Sequence, residues 1–216
     1  MPVHLLPDRI VDFPPVSDAN EDGLLAVGGH LSIETLLLAY RSCIFPWYTD
    51  DEPVLWWSPD PRFVILPGKL IISSSMEKIL KRDHFEITFD TAFQDVISLC
   101  AKSKRKGQRG TWITKEVKDA YIAFHTAGYA MSGEAWLNGQ LVGGFYGIRL
   151  GKCFFGESMF SKVSNASKAV FLTFAETFFN SGGKLIDCQV HTEHLESLGA
   201  EMIPRTDFIE IVKGNI

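Results

Sequence analysis

Residues 152–190 read KCFFGESMFSKVSNASKAVFLTFAETFFNSGGKLIDCQV, and this stretch decides the fold. Two apolar segments at its ends, 152–159 and 184–190, have the length of buried strands. The long amphipathic segment between them begins after Asn165, a common helix-capping residue, and ends at a Gly-Gly turn. The stretch therefore predicts a strand, a helix through about residue 179, and a second strand.

Both predicted strands contain polar residues where a core strand would be apolar. Glu157 lies in the first strand, and Asp187 and Gln189 lie in the second. Because side chains alternate along a strand, Asp187 and Gln189 are predicted to share one face. Burying such groups without partners costs about 1–3 kcal/mol each. Spacing alone leaves two interpretations open, a structural hydrogen-bond pair and a functional site.

The residues before this stretch predict an antiparallel meander. Segments 130–137 and 141–148 are joined by Asn138-Gly139, a dipeptide that strongly favours a two-residue hairpin turn. A second tight turn at Leu150-Gly151 leads into 152–159. A meander, a helix and a strand in this order are typical of acetyltransferase-like (GNAT) folds. The predicted class is therefore α+β, with a mixed, mainly antiparallel sheet flanked by helices.

The N-terminal part of the chain predicts a separate small domain. Residues 1–30 are rich in Pro, Asp and Gly, and Ser32 is predicted to cap a helix that runs to about Arg41. Four prolines between 46 and 61 exclude a long helix there, and the same segment is dense in aromatic residues. We predict a small N-terminal domain at 1–61 and a larger GNAT-like catalytic domain at 62–216.

Three further helices are predicted from their capping residues. Ser74-x-x-Glu77 and Thr91-x-x-Gln94 have the spacing of a capping box, in which the first residue caps the helix. Thr114 precedes a third amphipathic segment that ends at a glycine.

Composition and charge limit the possible functions. Hydrophobic residues make up 46% and charged residues 22% of the 216 positions, as in a globular protein with a core. A net charge of −5 argues against a protein that grips long nucleic acid mainly through phosphates. Any contact with nucleic acid should therefore be local. Two basic clusters are candidates for it: Lys78, Lys81 and Arg82, and the segment KSKRKGQR at 102–109.

The sequence also predicts that the protein is cytoplasmic and that it has no metal site. No apolar stretch approaches the roughly 20 residues that span a bilayer, and no signal peptide is visible. The four cysteines are dispersed and predict reduced thiols in the cytoplasm. His191 and His194 lack further ligands at metal-binding spacing, so we predict neither a metal site nor a membrane partner.

Several long motifs resemble those of one bacterial enzyme family. The motifs are FFGESMFS, NASK, GGKLIDCQV, SLGAEMIPR, GLLAVGGHLS, IFPWY, LWWSPDPR, GTWIT and LVGGFYG. Together they resemble the leucyl/phenylalanyl-tRNA–protein transferases, across roughly residues 13–208. The resemblance implies transfer of Leu or Phe, and Met less well, from the 3′ end of aminoacyl-tRNA to proteins that begin with Arg or Lys. The new peptide bond marks the acceptor for degradation by the N-end rule. Because the donor ester is already activated, no cofactor is needed.

The resemblance also assigns polar site residues. Asp187 and Gln189 match the family's D-C-Q segment. Gln189 is implied to accept a hydrogen bond from the attacking amine, while Asp187 orients Gln189 or helps relay charge. Glu157, in the matching G-E-S-M-F segment, is implied to join the same cluster and to meet the cationic end of the acceptor.

The resemblance also implies roles for four aromatic residues. Trp47 and Trp112 are implied to seat the terminal adenosine and side chain of the donor. Phe145 and Phe174 are implied to line the apolar pocket for the transferred side chain. Many relatives carry Met at the position of Phe145, which affects the shape expected of this pocket.

The basic clusters match the family only in part. Lys78 and Lys81 fall where relatives place cations that contact tRNA, whereas Ser74 replaces a further cation found in some of them. The segment 102–109 is longer and more basic than the corresponding family loop, so no role is transferred to it.

Three alternatives of different kinds remain. A related leucyl-transferase that acts on acidic N-termini would need a cationic acceptor site. A GNAT-type acetyltransferase would need glycines where the chain has the turn SKVSNASK, since close approach to a pyrophosphate requires them. In a non-catalytic peptide- or RNA-binding module, Asp187 and Gln189 would be structural.

Overall fold

A four-stranded and a seven-stranded sheet organise the computed structural model, which describes residues 3–9, 12–103 and 111–216. The strands are β1 His4–Leu6, β2 Leu24–Gly28, β3 Phe45–Pro46, β4 Leu55–Trp57, β5 Arg62–Ile65, β6 Glu86–Phe89, β7 Ala130–Leu137, β8 Gln140–Leu150, β9 Cys153–Ser161, β10 Leu185–Gln189 and β11 Glu201–Ile203. The helices are α1 Ile33–Arg41, α2 Ser74–Lys81, α3 Phe93–Lys102, α4 Lys115–Thr126, α5 Ala166–Asn180, α6 Glu193–Glu196 and α7 Arg205–Lys213, with a 3-10 turn at Val16–Asp18.

The larger sheet is mixed and mainly antiparallel, as the sequence predicts. Its strand order is β11-β5-β10-β9-β8-β7-β6. The β9–β10 pair is parallel because α5 crosses over between these two strands, and the other pairs are antiparallel. Helix α5 packs on β7, β8 and β9, and α3 also packs on these strands. The α+β class and the meander–helix–strand order are therefore confirmed.

Two glycines on the central strands β7 and β8 permit neighbouring side chains and helix α5 to pack closely against the sheet. A Cβ atom at Gly143 would lie 2.6 Å from Cβ of Ala166, so the first turn of α5 can approach β8 only because Gly143 lacks that atom. A Cβ atom at Gly133 would lie 2.5 Å from the ring of Phe145. Gly133 therefore leaves the space that the Phe145 ring occupies.

The smaller sheet has the order β1-β2-β4-β3 and lies within the first 57 residues. Helix α1 begins as predicted, with the Ser32 side chain accepting a hydrogen bond from the backbone N–H of Thr35. The sheets separate near residue 61, yet one hydrophobic cluster contains Tyr40 and Trp56 together with Tyr121 from α4. The division into domains at 1–61 and 62–216 stays a prediction.

Two of the predicted helix-capping residues are wrong, because α2 and α3 each have a different residue at the capping position. Helix α2 is capped by Ser73 rather than Ser74, which is instead the first helical residue. Thr91 does not cap α3, because its hydroxyl donates to the carboxylate of Glu134 at 3.0 Å. Thr114 caps α4 as predicted.

The structure bears on two further features of the sequence, its lack of an apolar stretch long enough to span a bilayer and the basic segment 102–109. Among the residues that the structure describes, no helix combines the length and the apolar character needed to cross a membrane. The basic residues Lys104, Arg105, Lys106 and Arg109 of the second cluster lie outside the described residues.

Candidate active site

A cavity of about 350 Å³ lies beside β9 and β10. Its walls come from β3 and the residue after it, from the segment before α4, from β8, β9 and β10, from α5, and from the segment after β10. Most of its lining side chains are apolar or aromatic: Phe45, Pro46, Trp47, Trp112, Phe145, Tyr146, Phe154, Met159, Phe171, Ile186, Cys188, Val190 and Leu195. Its polar lining residues include Glu157, Ser158, Asp187, Gln189, Thr192 and His194. The cavity is thus an apolar chamber with a small polar wall.

The structure brings six of the predicted site residues to this cavity, namely Trp47, Trp112, Phe145, Glu157, Asp187 and Gln189. Phe174 lies behind the wall instead of in it. Its ring centroid is 5.1 Å from that of Phe145 and 4.5 Å from that of Phe154. Phe174 therefore supports the side chains that face the cavity.

The two predicted tRNA contacts lie elsewhere. Lys78 and Lys81 are exposed on the short helix α2, and neither lines the cavity. Lys81 lies 3.6 Å from the Glu77 carboxylate in a largely exposed i,i+4 pair, which leaves its ammonium accessible to solvent.

A β-bulge shapes the polar wall at the end of β10. Asp187 pairs with Val64 and Gln189 with Phe63, so Cys188 is an extra residue on this strand. Gln189 has a φ of +64°, in the left-handed region that non-glycine residues rarely adopt. The strict alternation expected from the sequence is therefore interrupted between Asp187 and Gln189. The two residues are linked instead by the backbone N–H of Gln189, which donates to Oδ1 of Asp187 at 2.9 Å.

Asp187 is held by a buried arginine that the sequence analysis missed. Arg62 donates from Nε to Oδ1 at 2.9 Å and from Nη2 to Oδ2 at 2.6 Å, and both side chains are almost fully buried. The guanidinium lies between the rings of Phe45 and Phe208, 4.6 Å from each centroid. Both oxygens of Asp187 are thus already bonded. The available signal was an arginine at the start of an apolar strand, which requires a buried partner.

Glu157 is held by two tyrosines and by Gln189. Its Oε1 accepts from Tyr40 Oη at 2.7 Å and from Nε2 of Gln189 at 2.8 Å, and its Oε2 accepts from Tyr121 Oη at 3.0 Å. The pKa of Glu157 is raised to about 8, chiefly by burial and to a smaller extent by the charge of Asp187, while these three hydrogen bonds act in the opposite direction. The carboxyl can therefore exchange a proton near neutral pH.

Tyr40 and Tyr121 were also missed. Both lie in helices that the sequence predicts, where a buried aromatic residue is normally part of the core. Burial, followed by the nearby Glu157 charge, raises the pKa of both tyrosines well above its usual range, so they remain protonated donors. A buried tyrosine hydroxyl needs a partner, and this is the signal that points to a polar group nearby.

The described residues do not bring three or more His, Cys, Asp or Glu side chains together in an arrangement that would hold a metal ion. His191 lies 3.2 Å from the Glu196 carboxylate, and His194 lines the cavity. His191 therefore has a carboxylate neighbour, whereas His194 faces the cavity.

The raised pKa of Glu157 predicts a pH-dependent stability. Between about pH 4.5 and about pH 8 the folded protein retains a proton that the unfolded chain has lost, so stability falls as pH rises through this window. The Glu157→Gln variant has no carboxyl at this position and therefore lacks this pH-dependent contribution to stability. We expect the unfolding free energy of the wild type, measured by urea titration, to fall relative to Glu157→Gln from pH 5 to pH 8. A constant difference across the window would show that Glu157 is ionised throughout.

Comparison with known proteins identifies the family. Residues 64–213 match the family model described as leucyl/phenylalanyl-tRNA protein transferase, and residues 29–60 match the model of its N-terminal domain. The leucyl/phenylalanyl-tRNA–protein transferase of Syntrophus aciditrophicus (strain SB) is 51% identical over 208 residues, covering 96% of this chain and 87% of the relative. That of Aromatoleum aromaticum is 55% identical over 199 residues, covering 91% and 84%.

Among solved structures, a GCN5-related N-acetyltransferase from Kribbella flavida matches with a TM-score of 0.43 and 8% identity. The match covers 78% of this chain and 59% of that one. The sequence relatives are far closer, since both exceed 50% identity over more than nine tenths of the chain. The chain therefore belongs to the leucyl/phenylalanyl-tRNA protein transferase family and is an aminoacyltransferase.

Proposed function

We propose that this enzyme transfers Leu or Phe, and Met less efficiently, from aminoacyl-tRNA to the α-amine of proteins with N-terminal Arg or Lys. The product is a peptide bond and a new N-terminal residue that serves as a degradation signal in the N-end rule pathway. The observation that carries the proposal is an apolar, aromatic chamber with Glu157, Asp187 and Gln189 on one wall. An apolar side chain fits such a chamber, and the polar wall offers hydrogen-bond acceptors to an attacking amine.

The polar wall supports a defined position for the amine. Because Nε2 of Gln189 donates to Glu157, the carbonyl oxygen of the amide is the atom that can accept a hydrogen bond from the amine. Asp187 positions Gln189 through its backbone N–H, and Arg62 in turn holds Asp187. Holding a neutral amine next to an activated ester supplies much of the catalysis by proximity alone.

The aromatic residues are proposed to bind the donor. Trp47, which directly follows β3, and Trp112, which precedes α4, both line the cavity, and we propose that they stack on the terminal adenosine. Phe145 lines the chamber for the transferred side chain, with Phe174 packed behind it. Burying a Leu or Phe side chain in such a chamber contributes about 1.5–3 kcal/mol to binding.

The acceptor and the tRNA body are proposed to make fewer contacts. The preference for Arg or Lys rests on the resemblance of Glu157 and its neighbours to the family motif. Lys78 and Lys81 are proposed to contact tRNA phosphates from α2. We place the reaction in the cytoplasm, where charged tRNA is made. We assign the catalytic polar wall to the domain at 62–216, with the N-terminal domain contributing Phe45, Pro46 and Trp47 to the cavity.

One assay tests this function against the alternatives. The protein is mixed with Leu-tRNA, Phe-tRNA, Met-tRNA or acetyl-CoA, and with matched peptides that begin with Arg, Lys or Glu. We expect products only from aminoacyl-tRNA with Arg- or Lys-initial peptides, detected as a mass increase of one residue. Transfer to Glu-initial peptides or from acetyl-CoA would reject the proposal, and binding without any product would favour a non-catalytic module.

The chamber should discriminate against β-branched donors. The rings of Phe145 and Phe171 meet nearly edge to face, with centroids 5.8 Å apart, and give the wall a fixed shape. Ile and Val branch at Cβ, next to the ester, and are stiff there. We expect Ile-tRNA to be used at least about tenfold less well than Leu-tRNA in kcat/KM. Equal use of the two donors would contradict an aromatic side-chain pocket.

Binding of tRNA should depend weakly on salt. The chain has a net charge of −5, and the proposed contacts are two lysines. Each single-strand phosphate that is neutralised contributes about −0.7 to the slope of log K against log salt. Lys78→Ala/Lys81→Ala should therefore reduce the magnitude of the slope by about 1.4, whereas the control Lys213→Ala on α7 should leave it unchanged. A slope equivalent to eight or more phosphates would mean that another surface grips the tRNA body.

A further inference from the structure

The hydroxyls of Tyr40 and Tyr121 and the carboxyl of Glu157 form a closed ring of oxygen contacts. The two hydroxyl oxygens are 2.5 Å apart, and they lie 2.7 Å and 3.0 Å from the two oxygens of Glu157. When Glu157 is ionised, the ring contains two hydroxyl protons for three contacts. One additional proton completes it: Glu157 Oε2 donates to Tyr121, Tyr121 to Tyr40, and Tyr40 to Oε1. The cluster is thus built to take up one proton.

Asp187, the second carboxylate on the cavity wall, lacks this capacity. Both of its oxygens accept hydrogen bonds from the Arg62 guanidinium, and both side chains are almost fully buried. A proton on Asp187 would break this pair and leave Arg62 as a buried charge without a counterion, which is costly. Of these two carboxylates, only Glu157 can gain a proton without breaking an ion pair.

We propose that Glu157 accepts the proton of the attacking amine, and that Tyr40 and Tyr121 are positioning residues that hold its carboxyl ready to do so. This inference rests on the proposed function. It gives Glu157 a proton-handling role in addition to the hydrogen bond that the amide oxygen of Gln189 accepts from the amine.

The step balances without a further reactant. The neutral α-nitrogen of the acceptor forms a bond to the ester carbonyl carbon, and the bond from that carbon to the ribose oxygen breaks. The nitrogen loses one proton to Glu157, directly or through one water in the cavity. Glu157 then returns a proton to the departing ribose oxygen, so the enzyme ends in its starting state.

Other titratable groups surround Glu157. They come from α1, α4, β8, β10, β5 and the segment after β10: Tyr40, Tyr121, Tyr146, Asp187, Cys188, Arg62 and His194. Tyr40 and Tyr121 remain protonated because their pKa values are raised, and Arg62 compensates the charge of Asp187. A titration near pH 8 that disappears in Glu157→Gln is therefore assigned to Glu157 itself.

The first test is the pH dependence of transfer at subsaturating peptide. Two groups must be deprotonated in the wild type, the peptide α-amine with a pKa of about 7.7–8.0 and Glu157. We expect log rate to rise with a slope of about two below pH 7 in the wild type and about one in Glu157→Gln. We also expect Glu157→Gln to lower the rate at saturating peptide about 10²–10⁴-fold. A wild-type slope of one would overturn the proposal, as would a variant whose only defect is a higher peptide KM.

The second test examines the carboxyl without any substrate. Infrared difference spectra between pH 6 and pH 9 should show the C=O stretch of protonated Glu157, and this band should be absent in Glu157→Gln. Tyr40→Phe removes the hydroxyl that donates to the carbonyl oxygen, so the band should move to higher wavenumber. The control Tyr129→Phe, on a ring that packs against Phe124, should leave it in place. An unshifted band in Tyr40→Phe, or no titrating band, would overturn the proton cluster.

The two tests separate the proposal from the function on which it rests. The infrared titration reports on Glu157 even if the protein transfers nothing to Arg-initial peptides. Conversely, normal transfer with no titrating carboxyl would leave the proposed function intact and reject only the proton cluster.

Discussion

We expect Gln189→Ala to lower the rate of aminoacyl transfer about 10²–10⁴-fold with little loss of donor binding. The amide side chain bridges Glu157 and the position proposed for the amine, with Nε2 only 2.8 Å from the carboxylate. Removing it takes away the acceptor that orients the amine and also a donor that stabilises ionised Glu157. The donor, by contrast, is proposed to be held by Trp47, Trp112 and Phe145, which the substitution does not change.

The measurement is a single-turnover rate with saturating Leu-tRNA, after each variant has been shown to be folded by circular dichroism. Gln94→Ala, an exposed position on α3, is the matched control and should transfer at the wild-type rate. Asp187→Asn separates shape from charge. Substantial activity in this variant would mean that orientation of Gln189 is sufficient, whereas a rate near that of Gln189→Ala would mean that the charge matters. Near-wild-type rates for both Gln189→Ala and Asp187→Ala would show that these two residues are structural and do not contribute to catalysis.

Arg62→Met should lower the free energy of unfolding by about 3–5 kcal/mol at neutral pH. The substitution keeps most of the volume between Phe45 and Phe208 but leaves Asp187 as a buried carboxylate without its counterion. One remaining backbone donor, the N–H of Gln189, cannot replace two charge-assisted bonds. Transfer should fall as well, because the bulge that presents Gln189 is held through Asp187.

A double-mutant cycle tests this interpretation. In Arg62→Met/Asp187→Asn no charge is left unpaired, so urea denaturation should give a loss clearly smaller than the sum of the two single losses. Lys115→Met breaks an exposed pair with Asp119 and should change stability little. Additive losses would show that Arg62 and Asp187 act independently, contrary to their bidentate contact.

Much of the secondary structure could be predicted because its signals are local. Ser32 and Thr114 cap their helices as expected, and Asn138-Gly139 makes the predicted hairpin between β7 and β8. Prediction was less accurate where a long-range contact competed with a local capping signal. Thr91 has the spacing of a capping box, but its hydroxyl bonds to Glu134, which is distant in sequence.

The arrangement of the candidate site could be predicted only in part, because it depends on long-range pairing. Motif resemblance named Glu157, Asp187 and Gln189, but periodicity could not place the bulge that turns Gln189 toward Glu157. Arg62 is 125 positions from Asp187, and Tyr40 is 117 positions from Glu157. Nothing in the local sequence of either partner indicates the other. These partners emerge only when the strand order brings β5 beside β10 and packs α1 and α4 near β9.

The aromatic sandwich around Arg62 has a consequence for synthesis on the ribosome. Residues emerge in order, so Arg62 and Phe45 leave the exit tunnel long before Asp187, and Phe208 on α7 follows later still. Until α7 has packed, the Arg62 guanidinium lacks its contact with the ring of Phe208. N-terminal segments of many proteins fold during translation, but here an early-folded N-terminal half would not be enough. We therefore expect the packing around Arg62, and with it the polar wall, to be completed only when α7 has joined the fold.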